Sequence, residues 1–371
     1  MIYFDNSATT RPSEQCIQAM NEAMTQRYAN ASSLHRAGVS AKGDIDDCKT
    51  ALAQSINCTP AEILLGPGGT FCNNLAIRTA VEMLKRRGNK IVISSIEHPS
   101  VSECADSYRN IGFEVVKCNP LTDDFEKYID SSTILVSCMY VNNETGLILP
   151  VEKLRSIIEK NSSPALLHID AVQAFGKIPV DVSKLRCDML TVSAHKINGP
   201  KGIGALFAAR RVRISPVIFG GEQENSFIPG TYNSPAAAGF AQAVKQLKNN
   251  KSGYLNSLYE YFIEQSKKYE FIHVNSFGAH APHIINISFD GYLGENVLHF
   301  LEEYDIYTSQ GSACSSHSKH RAKTLEALGA DKRTSDCSLR VSFDYNNTIS
   351  QIDEFFKVCS MIPDKLIRFY K

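Results

Sequence analysis

Apolar positions recur at helical spacing from Cys16 to Met24 and from Ile45 to Ile56, so the chain is expected to open with helices after a short extended segment around Tyr3 and Phe4. Strands and helices then alternate. Short runs rich in β-branched residues mark strands at Ile91 to Ser94, Glu114 to Lys117, Thr133 to Ser137, Ala165 to Ile169, Met189 to Ser193 and Gly204 to Ala208, with helical patterns such as Val101 to Ile111 and Val151 to Glu159 between them. The pattern predicts a mostly parallel sheet covered by helices. After the Gly- and Pro-containing stretch Phe219 to Pro235, a helical pattern from about Ala236 to Lys268 predicts one long helix bridging to a second unit. That unit alternates again, through His283 to Phe289, Glu295 to Tyr304, Lys323 to Leu328, Leu339 to Phe343 and Ile349 to Met361.

A chain of 371 residues buries a substantial core and suggests two packed domains. Lysine plus arginine total 39, matched by 39 acidic residues, so no global field draws nucleic acid or an anionic membrane; the expected partner is small or locally recognised. The opening Met1-Ile-Tyr-Phe-Asp-Asn lacks a basic leader, and no apolar run reaches the length of a membrane span, which predicts a cytoplasmic enzyme. The 11 cysteines contain no Cys-x-x-Cys pair, which argues against a disulfide framework and a zinc site; most are expected to be reduced, buried and inert.

Open α/β sheets bind ligands outside the carboxyl ends of their strands, so the segments after strands carry the candidate chemistry. Leu64-Leu65-Gly66-Pro67-Gly68-Gly69-Thr70 places glycines where a strand meets a helix N-terminus, which suits a phosphate or serves as a tight structural turn. It has neither Walker A nor dinucleotide-fingerprint spacing. Asp170, in His168-Ile169-Asp170-Ala171-Val172-Gln173, is an acid just past an apolar strand; it either partners a protonated heterocyclic nitrogen or caps the next helix. Lys196, in Ser193-Ala194-His195-Lys196, follows a strand and precedes glycines, where desolvation favours a Schiff base and exposure would leave an ordinary surface lysine. Cys314, in Gly311-Ser312-Ala313-Cys314, sits in a small-residue loop near His317, Lys319, His320 and Arg321, cations that favour a thiolate; otherwise it is an ordinary loop cysteine.

Together with Asp5-Asn6-Ser7-Ala8-Thr9-Thr10 and Val141-Asn142-Asn143-Glu144, these motifs resemble the cysteine desulfurases of the class V aminotransferase group, in unbroken order from Tyr3 nearly to the C-terminus. The resemblance implies the α/β pyridoxal-5'-phosphate-dependent transferase fold, type I: a large domain over 15–245 with a mostly parallel seven-stranded sheet, and a smaller α/β domain of 1–14 with 246–371 carrying the cysteine loop. It implies that Lys196 is the Schiff-base lysine, that Asp170 pairs with the pyridinium nitrogen, that Gln173 bonds the phenolic oxygen and that His98 stacks on the ring and shuttles protons, a candidate beside the substrate's own groups to accept the proton of Cys314. Gly69, Thr70, Ser193 and His195 match phosphate-site positions. Thr231 matches a residue reaching the phosphate from a neighbouring subunit, which implies a homodimer. Asn143, also at a cofactor position, and Arg340 match positions that hold the substrate carboxylate, where a planar fork grips both oxygens.

The implied reaction moves sulfur from L-cysteine onto Cys314 as a persulfide, releases L-alanine, and passes the sulfur to an acceptor protein such as an iron–sulfur scaffold or a tRNA-modifying enzyme. The Gly-Ser-Ala-Cys form of the loop resembles the iron–sulfur-cluster and nitrogen-fixation type. Departures cluster near the phosphate: Phe71 replaces a common glutamate, Ile228 a common arginine, and Glu222 a glycine. The basic tract Ser318 to Lys323 suggests either an anionic acceptor or a solvated helix start. Selenocysteine lyase, cysteine or cystine lyase, an aminotransferase and a non-catalytic scaffold are rival readings on the same fold, most of them disfavoured by Cys314.

Overall fold

The computed structural model describes residues 1–122, 124–249, 253–311 and 323–370. Its strands are β1 (Ile2–Tyr3), β2 (Ile63–Gly66), β3 (Lys90–Ser94), β4 (Glu114–Cys118), β5 (Thr133–Met139), β6 (Leu166–Asp170), β7 (Met189–Ser193), β8 (Gly204–Ala208), β9 (Ile272–Val274), β10 (Ile284–Phe289), β11 (Ile306–Tyr307) and β12 (Ser338–Ser342). The chain divides into two compact units. The larger comprises Arg11–Tyr140 and Leu149–Asn249; the smaller comprises Met1–Thr10, Val141–Ile148 and Asn250–Lys371. The excursion Val141–Ile148 into the smaller unit carries no sequence signal, because it is short and sits between two segments of the larger one.

The larger unit holds a seven-stranded sheet in the order β2-β8-β7-β6-β5-β3-β4, as the α/β reading expects. Neighbours from β7 through β4 pair in parallel, and only β8 runs against them. β5, β6, β7 and β8 are buried at every position, which is why their sequences read as continuous apolar runs rather than alternating ones. The carboxyl ends of β2, β3, β6 and β7 therefore open on one edge, and the segments after Gly66, Ser94, Asp170 and Ser193 all start there.

The smaller unit pairs β1 with β11 in parallel and stacks β12-β10-β9 antiparallel. Its core is aromatic: Phe4 meets Phe343 edge-on at 5.3 Å, and Phe262 packs on Phe355 and Phe356. Burying a Phe ring contributes about 1.5–3 kcal/mol, so Phe4, fully buried, pins the N-terminal segment and with it Asp5.

The expected long helix from Ala236 to Lys268 is instead two helices, Ser234–Gln246 and Tyr254–Ser266. The first helix passes into the 3-10 turn Leu247–Asn249, and Gly253, just before Tyr254, stands at φ 78°, a conformation open to glycine at little cost and foreign to a continuing helix.

Candidate active site

The turn between β2 and the helix Gly69–Leu84 is shaped by glycine. Gly68 is the helix N-cap at φ 144°, and a side chain on Gly204 would meet the Gly68 backbone at 2.8 Å. A Cβ on Gly69 would meet Val172 at 3.2 Å and Ser193 at 3.6 Å, so Gly69 lies against both following turns. Thr70 is exposed beside it. Ser193 Oγ is buried with no hydrogen-bond partner among the described residues. The first amides of a 16-residue helix and an orphaned hydroxyl on one edge form a donor set that suits a phosphate.

Asp170, at the end of β6, is buried. Its Oδ1 accepts from the Val172 amide at 3.0 Å and its Oδ2 from Asn73 Nδ2 at 2.8 Å. The cap and the functional readings of this acid are thus compatible: one oxygen closes the local turn, while the other belongs to a side-chain network. Gln173, buried, follows in the same turn.

His98 caps the helix Pro99–Ser107, accepting at Nδ1 from the Ser100 amide at 3.1 Å, with Ser100 Oγ 2.8 Å from the same nitrogen. Since Nδ1 accepts, a neutral His98 carries its hydrogen on Nε2. Burial holds this imidazole below its usual range; Asp170 pulls it up and Lys196 pushes it further down, so His98 is within electrostatic reach of both. Lys196 ends the short turn Ala194–Lys196 and is half-buried rather than a freely exposed lysine. His195, beside it, is pushed down to about 4 by burial first and then by Lys196, Lys201 and His98.

Sequence reasoning missed Glu97, Asn73 and Ser100. Glu97 Oε1 accepts from the Ser94 hydroxyl and from the Met139 amide at 2.7 Å, tying the His98 turn to the end of β5. Burial pushes its carboxyl up to about 8. An acid directly before His98 in Glu97-His98-Pro99 was the available signal.

Phe71 and Ile228 both approach Gly66: a Cβ there would meet Phe71 at 3.1 Å and Ile228 at 3.6 Å. The two departures from the family pattern are neighbours, and they help line a cavity of about 260 Å³ with Ile45, Ile218 and Thr231. Thr231 and Glu222 are exposed.

In the smaller unit, Arg340 on β12 is 1 % exposed, donating through Nη1 to the Asn143 carbonyl at 2.9 Å and through Nη2 to Asp5 Oδ1 at 2.7 Å. Asn143 sits in a turn held by Asn142 Oδ1, which accepts from the amides of Glu144 and Thr145. The structure thus brings Asn143 and Arg340 together in one unit, and Gly69, His98, Asp170, Ser193, His195 and Lys196 together in the other. Cys314 and the basic tract at 318–322 lie outside the described residues.

The aminotransferase class-V family model matches residues 2–355, and the chain belongs to that family. Its relatives narrow the class. It is 36 % identical to the "NifS/IcsS protein homolog" of Lactobacillus delbrueckii subsp. bulgaricus, covering 96 % of this chain and 95 % of that one. It is 34 % identical to "Cysteine desulfurase IscS" of Methanosarcina thermophila, over 98 % of this chain and 92 % of the relative. Among solved structures, a "NifS-like protein" superposes with a TM-score of 0.91 at 30 % identity, covering 98 % of this chain and all (100 %) of that one. "SspA in complex with cysteine" superposes with a TM-score of 0.82 at 28 % identity, over 94 % of this chain and 100 % of the other. No helix among the described residues is long and apolar enough to cross a membrane.

Proposed function

We propose that this chain is a pyridoxal-phosphate-dependent cysteine desulfurase: it transfers the sulfur of L-cysteine to Cys314 and releases L-alanine. The observation that carries the reading is Asp170, a buried carboxylate at a strand end whose oxygens are held by Val172 and Asn73, with His98 within electrostatic reach of both Asp170 and Lys196. The relatives' names support the same reaction.

The larger unit fits the cofactor through its glycine turn, its orphaned Ser193 hydroxyl and its buried acid. Lys196 would hold it covalently. Gly69, Thr70, Ser193 and His195 would hold its phosphate, with Thr231 of a second copy completing the set in a homodimer. Asp170 would hold a positive charge on its ring nitrogen, Gln173 its phenolic oxygen, and His98 its face. When bound, pyridoxal phosphate supplies an electron sink that makes the substrate Cα–H acidic and the Cβ–S bond weak.

The chain's own residues do the remaining work. Arg340 and Asn143 bind and orient the substrate carboxylate, the planar guanidinium fixing its direction. His98, neutral with its hydrogen on Nε2, stands as an N–H donor rather than as a ready base. Cys314 attacks the substrate sulfur as a thiolate; the S–S bond forms as the Cβ–S bond breaks. Of the two thiol protons, one ends on alanine Cβ and one on the persulfide, so cysteine plus one enzyme thiol gives alanine plus one persulfide with no outside oxidant.

The described cysteines support the choice of Cys314 by contrast. They are free thiols, mostly buried, and burial pushes Cys16 and Cys104 up to about 11 and Cys58, Cys72 and Cys187 up to about 12, poor nucleophiles at neutral pH. The persulfide would serve an acceptor protein in the cytoplasm, of the iron–sulfur or tRNA-thiolation kind.

The test incubates the cofactor-loaded protein with L-cysteine and quantifies alanine and protein-bound persulfide beside Cys314→Ala. Both products from the wild type and neither from the variant is the expected result. Alanine surviving in Cys314→Ala would make the chain a lyase, and no alanine from either would end the desulfurase reading.

A further inference from the structure

Asn73 lies in the second turn of the helix Gly69–Leu84, 1 % exposed. Its Nδ2 donates to Asp170 Oδ2 and to Ser100 Oγ, both at 2.8 Å. An amide nitrogen has two hydrogens, so both are committed, one to each partner. The orientation is fixed by charge: a flipped amide would set its carbonyl oxygen against the Asp170 carboxylate. The amide accepts a cost to keep it, since Asn73 Oδ1 is buried with no partner among the described residues. Ser100 Oγ, having accepted from Asn73, turns its own hydrogen toward His98 Nδ1 at 2.8 Å, which also receives the Ser100 amide.

We propose that Asn73 is a positioning residue that ties Asp170 to His98: one amide hydrogen holds the carboxylate, and the other sets the Ser100 hydroxyl so that the imidazole keeps its proton on Nε2. The circuit joins three elements, the helix Gly69–Leu84, the start of the helix Pro99–Ser107 and the end of β6. None of its bonds depends on a bound cofactor. The role of its two ends rests on the function proposed above, whereas the circuit itself does not.

The ionisable groups around His98 are Asp170, Lys196 and His195, with Glu97 preceding it on the same turn. Asp170 and Lys196 act on the imidazole in opposite directions, so the two donors at Nδ1 decide the tautomer locally. Protonating His98 means adding a hydrogen at Nδ1, and both donors oppose it. Without Asn73 the Ser100 hydroxyl is free to rotate and accept from an imidazolium N–H.

The test is a nitrogen-15 histidine NMR titration of the full chain, with and without pyridoxal phosphate, using His98→Gln to assign the resonance. In the wild type His98 should appear with an unprotonated Nδ1 and a protonated Nε2. Asn73→Ala should raise the His98 midpoint by about one pH unit, a tenfold gain in proton affinity, and weaken the tautomer preference. Ser100→Ala should do the same, and the double variant should add nothing to Ser100→Ala alone. An unmoved midpoint in Asn73→Ala, or equal and additive shifts in the two backgrounds, overturns the circuit. Should Asn73→Ala not fold, Ser100→Ala decides alone: an unmoved midpoint there has the same meaning. A wild type that makes no alanine while His98 moves as stated would sink the functional reading and leave the circuit standing.

Discussion

Arg340 Nη2 and Asp5 Oδ1 form an ion pair of 2.7 Å in which the arginine side chain is 1 % exposed and the aspartate 18 %. Phe4, locked in the aromatic core, delivers Asp5, and Ser342 on the same strand as Arg340 donates its amide to the Phe4 carbonyl. The N-terminal segment therefore neutralises the guanidinium assigned to the substrate carboxylate, and holds its fork in place.

Asp5→Asn should leave the buried Arg340 without its ion-pair partner, with Glu144 as the remaining acid in its field. Removing one partner of a buried pair costs about 3–5 kcal/mol, and the partial exposure of Asp5 favours the lower end of that range. A urea titration should show this loss, and a variant as stable as the wild type would show the pair to be dispensable.

Arg340→Lys keeps the charge and loses the fork. A lysine is a point charge that cannot hold the Asn143 carbonyl and Asp5 together while presenting a flat donor pair. The expected effect is a fall in kcat/KM for L-cysteine of about 10-fold or more, about 1.4 kcal/mol of transition-state binding, carried by KM. A change confined to kcat would remove the carboxylate role.

Asp170→Asn replaces an acceptor-only carboxylate by an amide facing the Val172 amide and Asn73. A carboxylate raises the proton affinity of a cationic neighbour by about 1–3 pKa units, so alanine formation should fall about 10- to 1000-fold while the protein stays folded. Single-turnover alanine yield measures it. A fall of less than about threefold would reduce Asp170 to the turn cap that is also legible in its sequence context.

Much of this was legible in the sequence because the larger unit is a parallel sheet. Strands such as Leu166–Asp170 and Met189–Ser193 are buried on both faces, so their apolar runs stand out and their ends locate Asp170 and the Lys196 turn. Less was legible where contacts join residues far apart in the chain. Asn73 looks like any polar residue in a helix, and its partner Asp170 is 97 positions away; Asp5 is 335 positions from Arg340. Two-residue strands such as Ile306–Tyr307 are too short for any period to register.

Stability should carry the signature of Glu97. Its carboxyl is raised from an ordinary 4.5 to about 8 in the folded chain, so between those values the native state holds a proton that the unfolded chain has lost. That stabilisation is complete below pH 4.5 and is lost as pH rises through about 8, at up to about 1.4 kcal/mol per pH unit. His168, pushed down to about 4 by burial, works with the opposite sign, its slope ending near its ordinary 6.5. Glu97→Gln is neutral throughout, so its stability relative to wild type should climb from pH 5 to pH 9. Thermal melts across that range test this, and a constant difference would place the Glu97 ionisation elsewhere.

Alkylation should single out Cys314. A thiol of ordinary pKa, about 8.5, is a few per cent thiolate at neutral pH, whereas one at 11–12 is ionised roughly 300- to 3000-fold less. Among the described cysteines only Cys58 and Cys104 escape full burial, and burial pushes even these up to about 12 and about 11. Iodoacetamide at pH 7 on the native protein should therefore give one fast equivalent, mapped by mass spectrometry to Cys314, with the rest reacting only on unfolding. The fast phase should vanish in Cys314→Ala. Rapid labelling at Cys58 or Cys104, or a fast phase that persists in the variant, would mean that burial does not set thiol reactivity here, and the contrast that favours Cys314 as the sulfur acceptor would fall with it.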